Sequence, residues 1–265
     1  MTGMSYDQLK TIEVNREGPV LHVRLNRPDV RNAFNGELID ELHHVFREID
    51  LDDEARVVIL AGNGPSFSAG ADLTWMKEQA ALDERANEEG AAHMAGSFLA
   101  IARCRKPVVA KIHGHALGGG SGLTAAADIA ICTEDTVFGL TEVKLGIVPA
   151  VISPFVMQKI GAGRARTLFL TGERFDGREA QRVGLVHRAV AADQLDAEVA
   201  ATVKQLLSSG PAALMSAKEL IKEIAPLGLE EAIPITSRWI ARLRATPEAA
   251  EGMSAFLEKR KPNWL

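Results

Sequence analysis

The sequence predicts an α/β fold in which strands, loops and helices alternate along the chain. Continuous apolar runs such as Val108–Ile112 are typical of strands that are buried on both faces of a parallel sheet. Loops of small residues follow these runs, and segments with helical periodicity follow the loops. After Pro149 nearly all apolar patterns have helical spacing. We therefore expect βαβ units with right-handed crossovers over residues 1–195 and a helical C-terminal region over residues 196–265.

The first expected elements are a hairpin and a helix. Residues 11–14 and 20–25 alternate apolar and polar side chains on either side of Gly18-Pro19, which is typical of paired strands. Asn35 can cap the helix that follows, because residues 37–49 carry apolar side chains at helical spacing.

The rest of the α/β part is predicted from short apolar runs that end at glycine, proline or polar residues. The expected strands are residues 56–61, 108–112, 128–132 and 137–140. Helices are expected to begin at Leu73 and to cover residues 88–103 and 120–127.

The C-terminal part contains clear helix starts. Ser153-Pro154 begins a helix, because proline is favoured in the first turn. Gly161 and Gly172 are expected helix stops. Further helices are predicted over residues 193–208, from Pro211 onwards, and in the segment that follows up to Leu257.

The composition excludes several classes of function. The 265 residues are 46% hydrophobic and 25% charged with a formal net charge of -5, which is typical of a globular protein and argues against nucleic-acid binding. Neither a signal peptide nor an apolar segment long enough for a bilayer is found, so we expect a cytoplasmic protein without a membrane partner. Cys104 and Cys132 lie among apolar residues and are expected to be buried free thiols.

Most strong catalytic motifs are missing. The glycine-rich residues 114–122 match neither the phosphate-binding loop, nor the dinucleotide fingerprint, nor the nucleophile elbow of serine hydrolases. No metal is expected, because histidine and cysteine do not occur at metal-binding spacings. His113 and His115 flank the glycine turn, and packing or surface roles fit them better than catalysis.

Two strand-to-helix loops made of small residues are the first candidates for chemistry. They are residues 68–72 and 114–122. Backbone N–H groups at a helix N-terminus carry partial positive charge, and two rigid donors can stabilise a developing oxyanion. Ala71 and Gly119 are the expected donors, one from each loop. The alternative is that the glycines serve only tight turns and close helix–sheet packing.

Glu142 is the candidate for proton transfer. It follows a short predicted strand and lies among apolar residues, so burial could raise the pKa of its carboxyl and suit it to exchange a proton with a carbon acid. The alternative is a helix-start glutamate that interacts only with the helix dipole.

Together these segments resemble the crotonase family, which is also called the enoyl-CoA hydratase/isomerase superfamily. The resemblance covers nearly the whole chain and rests on several motifs in a fixed order. They are Leu25-Asn26-Arg27-Pro28 with Asn32-Ala33, residues 67–73, residues 114–122, Ala127-Asp128-Ile129, Phe138-Gly139, Glu142, residues 145–149 and residues 251–260.

The resemblance implies a fold, a substrate class and a set of contacts. The fold is a spiral of βαβ units with a helical C-terminal region that packs homotrimers, often paired into homohexamers. The substrates are acyl thioesters of coenzyme A, with no separate cofactor because coenzyme A is part of the substrate. Ala71 and Gly119 match the family's oxyanion donors, and Glu142 matches the glutamate that exchanges the α-proton.

The resemblance also implies contacts to coenzyme A from the first donor loop, from the glycine turn and from two outlying segments. The implied contact residues are Ala69, Ala71, Asp72, Leu73, Gly119, Arg31, Phe256 and Lys259. The last two would reach the nucleotide from the final helix, in the same or in a neighbouring subunit.

One position departs from the family pattern. Hydratases of the two-glutamate type carry a second, water-activating glutamate where this chain has Gly122. Glu142 alone could serve both water and the α-proton in hydration of a 2-enoyl-CoA, which is the leading hypothesis. The closest alternative is a 3-enoyl-CoA to 2-enoyl-CoA isomerase, which needs only one carboxylate, and decarboxylation of a malonyl-type thioester comes third. A catalytically silent acyl-CoA-binding homologue is the non-enzyme alternative.

The segment after Pro149 is a second departure from the family pattern, and it bears on the identity of the acyl group. Residues 149–155, with Trp75-Met76-Lys77 and Gly122, resemble the bacterial branch of methylglutaconyl-CoA and carboxygeranoyl-CoA hydratases. That branch implies leucine or other branched-chain catabolism, as an alternative to fatty-acid metabolism. A substrate with a distal carboxylate should meet a cation or a hydroxyl in the acyl pocket, and the sequence singles out no residue for this role.

Overall fold

The structure is a computed structural model that describes residues 6–265, apart from the side chain of Asp7. The β-strands in this part of the chain are β1 Ile12–Glu17, β2 Val20–Leu25, β3 Val57–Gly62, β4 Val108–Ile112, β5 His115–Leu117, β6 Ile129–Thr133, β7 Val137–Gly139, β8 Arg174–Phe175 and β9 Arg188–Val190. The α-helices are α1 Gly36–Leu51, α2 Leu73–Ala80, α3 Glu84–Arg103, α4 Gly119–Ala126, α5 Ser153–Thr171, α6 Gly177–Val183, α7 Leu195–Ser208, α8 Pro211–Ile224, α9 Leu229–Arg244 and α10 Pro247–Leu257. Short 3-10 helices cover Tyr6–Gln8, Pro28–Val30, Glu142–Leu145 and Ala192–Gln194.

Two sheets organise the strands. The larger sheet has the order β1-β2-β3-β4-β6-β9, and all its neighbouring pairs are parallel except the β1–β2 hairpin. The smaller sheet has the order β5-β7-β8. Segments that contain helices join β2, β3, β4 and β6 in succession, which gives repeated βαβ units. The predicted α/β class is therefore confirmed.

Apolar side chains cover both faces of the central strands. On one face a large cluster packs the sheet against α1, α3, α4 and α5, and it includes the fully buried rings of Phe46 and Phe98. On the other face a smaller cluster joins Val57 and Val109 of the sheet to Val199 of α7. Burial on both faces explains why these strands are continuous apolar runs in the sequence.

The predicted elements differ from the observed ones mainly at short strands. The sequence patterns do not predict β5, β8 and β9, which have two or three residues each. Strands of this length are too short for a periodic pattern, and they form because a distant partner strand is present. Gly161 produces a kink inside α5, with φ of 76°, and Gly172 ends that helix in the left-handed conformation.

The C-terminal helices differ in how deeply they are packed. The first of them, α7, begins at Leu195 and packs on the sheet through Val199 and Val203. By contrast, α8 and α9 have no buried residue, and α10 has only Ala255. No helix within residues 6–265 combines the length and the hydrophobicity needed to cross a membrane.

Both cysteines are buried free thiols, as predicted. Burial raises the pKa of each thiol to about 12, so neither is poised to act as a thiolate nucleophile.

Candidate active site

The first candidate donor loop is held by backbone hydrogen bonds to β5 and to His113, just before that strand. The N–H of Phe67 donates to the carbonyl of His113 at 2.9 Å, and that of Ser68 donates to His115 at 2.9 Å. In return, the Leu117 N–H donates to the Ser68 carbonyl at 3.0 Å. This loop therefore continues the small sheet and is fixed beside the strand that leads into the glycine turn.

A second set of backbone bonds fixes the same loop against Phe34. The Phe34 N–H donates to the Gly70 carbonyl at 2.7 Å, and the Asp72 N–H donates to the Phe34 carbonyl at 2.9 Å. Ala71 lies between these two bonds, and within the described residues its own N–H has no hydrogen-bond acceptor. The Ala71 N–H is thus a rigid, free donor.

The glycine turn places a second donor next to the first. Gly118 has φ of 49°, and its N–H donates to the Gly139 carbonyl at 2.9 Å. Gly119 is the first residue of α4, so its N–H has no acceptor within the helix. A Cβ atom on Gly118 would lie 3.8 Å from the Gly70 Cα, which shows how closely the two loops approach.

Packing explains why position 119 is glycine. A Cβ atom there would lie 2.8 Å from the ring of Phe34, closer than packing allows. The predicted packing role of the glycines therefore applies, and this close packing also brings the two backbone N–H groups near each other.

Glu142 lies beside the place where the two loops approach each other, at Gly118 and Gly70. Its Oε1 lies 3.2 Å from the position that a Cβ atom on Gly118 would take. Its Oε2 is buried and has no hydrogen-bond partner within the described residues. Burial raises the pKa of the Glu142 carboxyl above its ordinary value. Glu142 also begins a 3-10 helix, which fits the alternative that placed it at a helix start.

One cavity of about 370 Å³ joins these groups. Of the sequence-predicted site residues, those in contact with it are Ala69, Ala71, Leu73, Gly119 and Glu142. Most of the remaining lining is apolar. These apolar side chains are Trp75, Met76, Met94, Leu117, Leu145, Ile147, Val148, Pro149, Ala150, Val151 and Ile152. Glu142 is the only carboxylate that lines this cavity in the described part of the chain.

Four sequence-predicted contact residues lie outside the cavity lining. Asp72 caps α2 through the Thr74 N–H at 2.9 Å and pairs with Arg27, whose hydrogen bond holds the pKa of Asp72 below its ordinary value. Arg31 and Lys259 are exposed and have left-handed backbone conformations. The side chain of Phe256 is 83% exposed.

The space beside Gly122 is filled by apolar side chains. A Cβ atom on Gly122 would lie 2.4 Å from Ile152 Cγ2 and 3.1 Å from Phe98 Cε1. A glutamate cannot fit here without displacing both neighbours. The packing of these two apolar side chains therefore excludes a carboxylate at position 122.

Two polar residues of the cavity, Thr141 and Arg174, are not among the residues predicted from the sequence. Thr141 directly precedes Glu142, so its position could have been found from the motif. Arg174 lies on β8, far along the chain, and it reaches the site because β8 pairs with β7 at Gly139. Only the pairing of distant strands brings Arg174 to the cavity.

A family model described as enoyl-CoA hydratase/isomerase matches residues 15–265. The chain belongs to the enoyl-CoA hydratase/isomerase family. Among solved structures, an enoyl-CoA hydratase from Shewanella pealeana is 36% identical and covers 98% of this chain and 97% of its own, with a TM-score of 0.93. The crotonase resemblance and the fold expected from it are thereby confirmed.

Named relatives include both reaction types of the enoyl-CoA hydratase/isomerase family. The short-chain-enoyl-CoA hydratase of Clostridium acetobutylicum is 33% identical over 96% of this chain and 97% of its own. The peroxisomal Delta(3,5)-Delta(2,4)-dienoyl-CoA isomerase of Arabidopsis thaliana is 30% identical over 100% of this chain and 99% of its own. Because the two identities are close to each other, they do not distinguish hydration from isomerisation in this chain.

Proposed function

We propose that this enzyme is an enoyl-CoA hydratase that adds water to the double bond of a 2-enoyl-CoA, with Glu142 as its acid–base group. The observation that carries the proposal is the Glu142 carboxyl, which adjoins the junction of the two loops and has a buried Oε2 without a partner. A buried oxygen without a hydrogen bond is costly. If the carboxyl group turns towards the cavity, water or substrate there would satisfy that oxygen.

In this proposal the thioester carbonyl accepts hydrogen bonds from the N–H groups of Ala71 and Gly119. Attack at the β-carbon moves negative charge onto the carbonyl oxygen, so both hydrogen bonds strengthen in the transition state. The free Ala71 N–H between two engaged neighbours supports this role, and so does the position of Gly119 at the start of α4.

A single carboxylate can serve both proton transfers of hydration. The ionised Glu142 accepts a proton from water while the water oxygen bonds to the β-carbon, and the electron pair of the double bond passes into the thioester enolate. The acid form of Glu142 then gives that proton to the α-carbon, which completes the addition of one water molecule. The raised pKa of Glu142 suits it to accept and release the proton in turn.

The second candidate function is isomerisation of a 3-enoyl-CoA to a 2-enoyl-CoA. The packing of Ile152 and Phe98 against Gly122 favours it, because this packing leaves no room for a second, water-activating carboxylate. One carboxylate suffices to remove the proton from the α-carbon and return it to the γ-carbon.

Coenzyme A is proposed to lie along the first donor loop, with its adenine end held by backbone groups of residues 69–73. Arg31 and Lys259 would supply charge for the phosphates. The exposure of Phe256 supports a contact to coenzyme A in a neighbouring subunit, because this side chain is outside the cavity of its own chain.

The proposed assembly is a homotrimer or a homohexamer. Large apolar side chains on α8, α9 and α10 support it, because they are exposed in the single chain. They are Ile221, Leu229, Ile233, Ile240, Met253, Phe256 and Leu257. Apolar surface of this extent is typical of protein–protein contacts.

The acyl group is proposed to occupy the apolar part of the cavity. Leu145, Ile147, Val148 and Val151 line it and favour a short or branched enoyl chain. Enoyl groups of fatty-acid and branched-chain catabolism fit this description, and methylglutaconyl-CoA of leucine breakdown is among them.

Parallel assays of crotonyl-CoA, methylglutaconyl-CoA and a 3-enoyl-CoA test the proposed function. We expect hydration of at least one of the two 2-enoyl thioesters. Isomerisation of the 3-enoyl thioester without any hydration would contradict the proposal and support the second candidate. Coenzyme A binding without turnover of any thioester would support the catalytically silent homologue.

A further inference from the structure

Arg174 is a solvent-exposed cation that lines a cavity whose lining is otherwise largely apolar. Within the described residues it is the only basic side chain among the lining residues, and no hydrogen bond or ion pair engages its guanidinium. Many of the chain's other arginines have a carboxylate partner, as Arg27 has in Asp72 at 2.9 Å. An unpaired guanidinium at a substrate cavity is therefore a free site for an anion.

The position of Arg174 is fixed by β7, the strand that leads towards Glu142. Gly139 of β7 pairs with Arg174, and a Cβ atom on Gly139 would lie 3.4 Å from Arg174 Cγ and 3.2 Å from Leu117 Cδ2. The same Gly139 accepts the hydrogen bond from the Gly118 N–H at 2.9 Å. The base of the Arg174 side chain is therefore positioned by the backbone that holds the glycine turn.

Arg174 is not the partner of the catalytic carboxylate. No ion pair joins it to Glu142, and burial raises the pKa of Glu142 without a nearby cation to oppose the shift. The two groups thus line one cavity without pairing with each other. A substrate that extends from Glu142 towards Arg174 could bring its own negative charge to the guanidinium.

We propose that Arg174 binds a carboxylate at the far end of the acyl group, so that the preferred substrates are coenzyme A thioesters of dicarboxylic enoyl acids. The planar guanidinium matches a carboxylate through two parallel hydrogen bonds. This inference rests on the proposed function, because it assumes that the acyl group occupies the cavity beside Glu142. A phosphate of coenzyme A is the other anion that could reach Arg174, and the test separates the two.

Binding of two unreactive thioesters tests the role of Arg174. Glutaryl-CoA carries a carboxylate where butyryl-CoA carries a terminal hydrogen, and neither has a double bond to hydrate. We expect the unmodified protein to bind glutaryl-CoA at least about tenfold more tightly than butyryl-CoA, in line with a charged hydrogen bond. Arg174→Met should bring this ratio close to one, and Arg174→Lys should keep part of it.

The control is Arg166→Met, which removes an equal charge from an exposed position of α5 outside the cavity lining. It should leave the ratio unchanged. A ratio near one in the unmodified protein would overturn the inference. So would an equal loss of affinity for both thioesters in Arg174→Met, because it would assign Arg174 to a coenzyme A phosphate.

The kinetic assay distinguishes this inference from the proposed function. Hydration of crotonyl-CoA without any preference for glutaryl-CoA would overturn the role of Arg174 and leave the hydratase proposal standing. A preference for glutaryl-CoA that depends on Arg174, without turnover of any enoyl-CoA, would support the anion site and contradict the hydratase proposal.

Discussion

At position 122 the packing leaves little space for any side chain. A Cβ atom on Gly122 would meet Ile152 Cγ2 at 2.4 Å, so this glycine and its neighbour form one packing unit. The family resemblance indicates that a glutamate is missing here, and the structure shows that Ile152 and Phe98 occupy the space. As a result Glu142 has no second carboxylate beside it within the described cavity lining.

Coupling between Gly122 and Ile152 is the first prediction at this scale. Gly122→Ala should lower the free energy of unfolding by about 1–3 kcal/mol through overpacking, and Ile152→Ala by about 2–5 kcal/mol through a cavity. The double variant should lose less than the sum of the two by at least about 1 kcal/mol, because the methyl group fills part of the cavity. Urea denaturation of the four proteins measures the coupling. Additive losses would show that the two residues do not share this space.

The pH dependence of hydration is the second residue-scale prediction. The reaction as proposed begins with ionised Glu142, so kcat/KM should fall as the pH falls through the raised pKa of this carboxyl. The acid limb should therefore lie above 4.5, the ordinary value for glutamate. An acid limb at or below the ordinary value would assign the essential base to another group.

The same shift has a consequence for stability. A folded-state pKa above the unfolded one favours the folded protein at low pH, and this contribution is lost as the pH rises through the folded pKa. Above that range Glu142→Gln should be more stable than the unmodified protein, because the neutral amide removes a buried charge. Thermal melts at several pH values measure this difference, which should shrink as the pH is lowered.

At the scale of elements, the donor loop is positioned by its surroundings. Asn32 is fully buried in a left-handed conformation with φ of 56°. Its Nδ2 donates to the carbonyls of Asn63 at 2.9 Å and Ser66 at 2.8 Å, and its Oδ1 accepts from the Arg27 N–H at 2.8 Å. These bonds tie the segment after β2 to the segment after β3, from which the Ala71 donor extends.

Loss of the Asn32 side-chain hydrogen bonds should lower both the stability and the activity of the protein. Asn32→Ala should lower the free energy of unfolding by about 2–4 kcal/mol, because it leaves buried carbonyls without donors. It should also lower kcat/KM by tenfold or more, on the order expected when a donor is displaced slightly. Asn87→Ala, which removes hydrogen bonds near the surface of α3, is the matched control and should change stability by about 0.5 kcal/mol or less. An unchanged kcat/KM in Asn32→Ala would contradict the positioning role.

The elements that could be predicted from the sequence are those set by local patterns. Asn35 was expected to cap α1, and its Oδ1 does accept the Leu38 N–H at 3.0 Å. The apolar run of β3 and the two donor loops were also visible locally. By contrast, β8 and Arg174 lack such a signal, because two residues form a strand only when β7 is beside them.

At the scale of the whole molecule, the C-terminal helices are only partly packed. The side chain of Leu229 on α9 is 85% exposed, and α8 and α9 contain no buried residue. Isolated helices of this length are marginal in water without an apolar face to bury. The proposed oligomer would cover these faces with those of neighbouring chains.

Light scattering after size-exclusion chromatography tests the assembly. We expect a mass of three or six chains of 28.5 kDa each. Leu229→Glu combined with Ile233→Glu should shift the protein towards smaller species, because charge at a buried interface is costly. Leu51→Glu, at an exposed end of α1, is the control and should leave the mass unchanged. A monomer at micromolar concentration would contradict the proposed assembly.

The central claim is that Glu142 is the acid–base group of an enoyl-CoA hydratase. Its most direct test is the turnover of crotonyl-CoA by Glu142→Gln, measured together with the affinity for coenzyme A. Glu173→Gln, at an exposed position outside the cavity lining, serves as the control. We expect Glu142→Gln to lower kcat by about a hundredfold or more while coenzyme A binds with similar affinity. Retention of a tenth or more of the original kcat would contradict the claim.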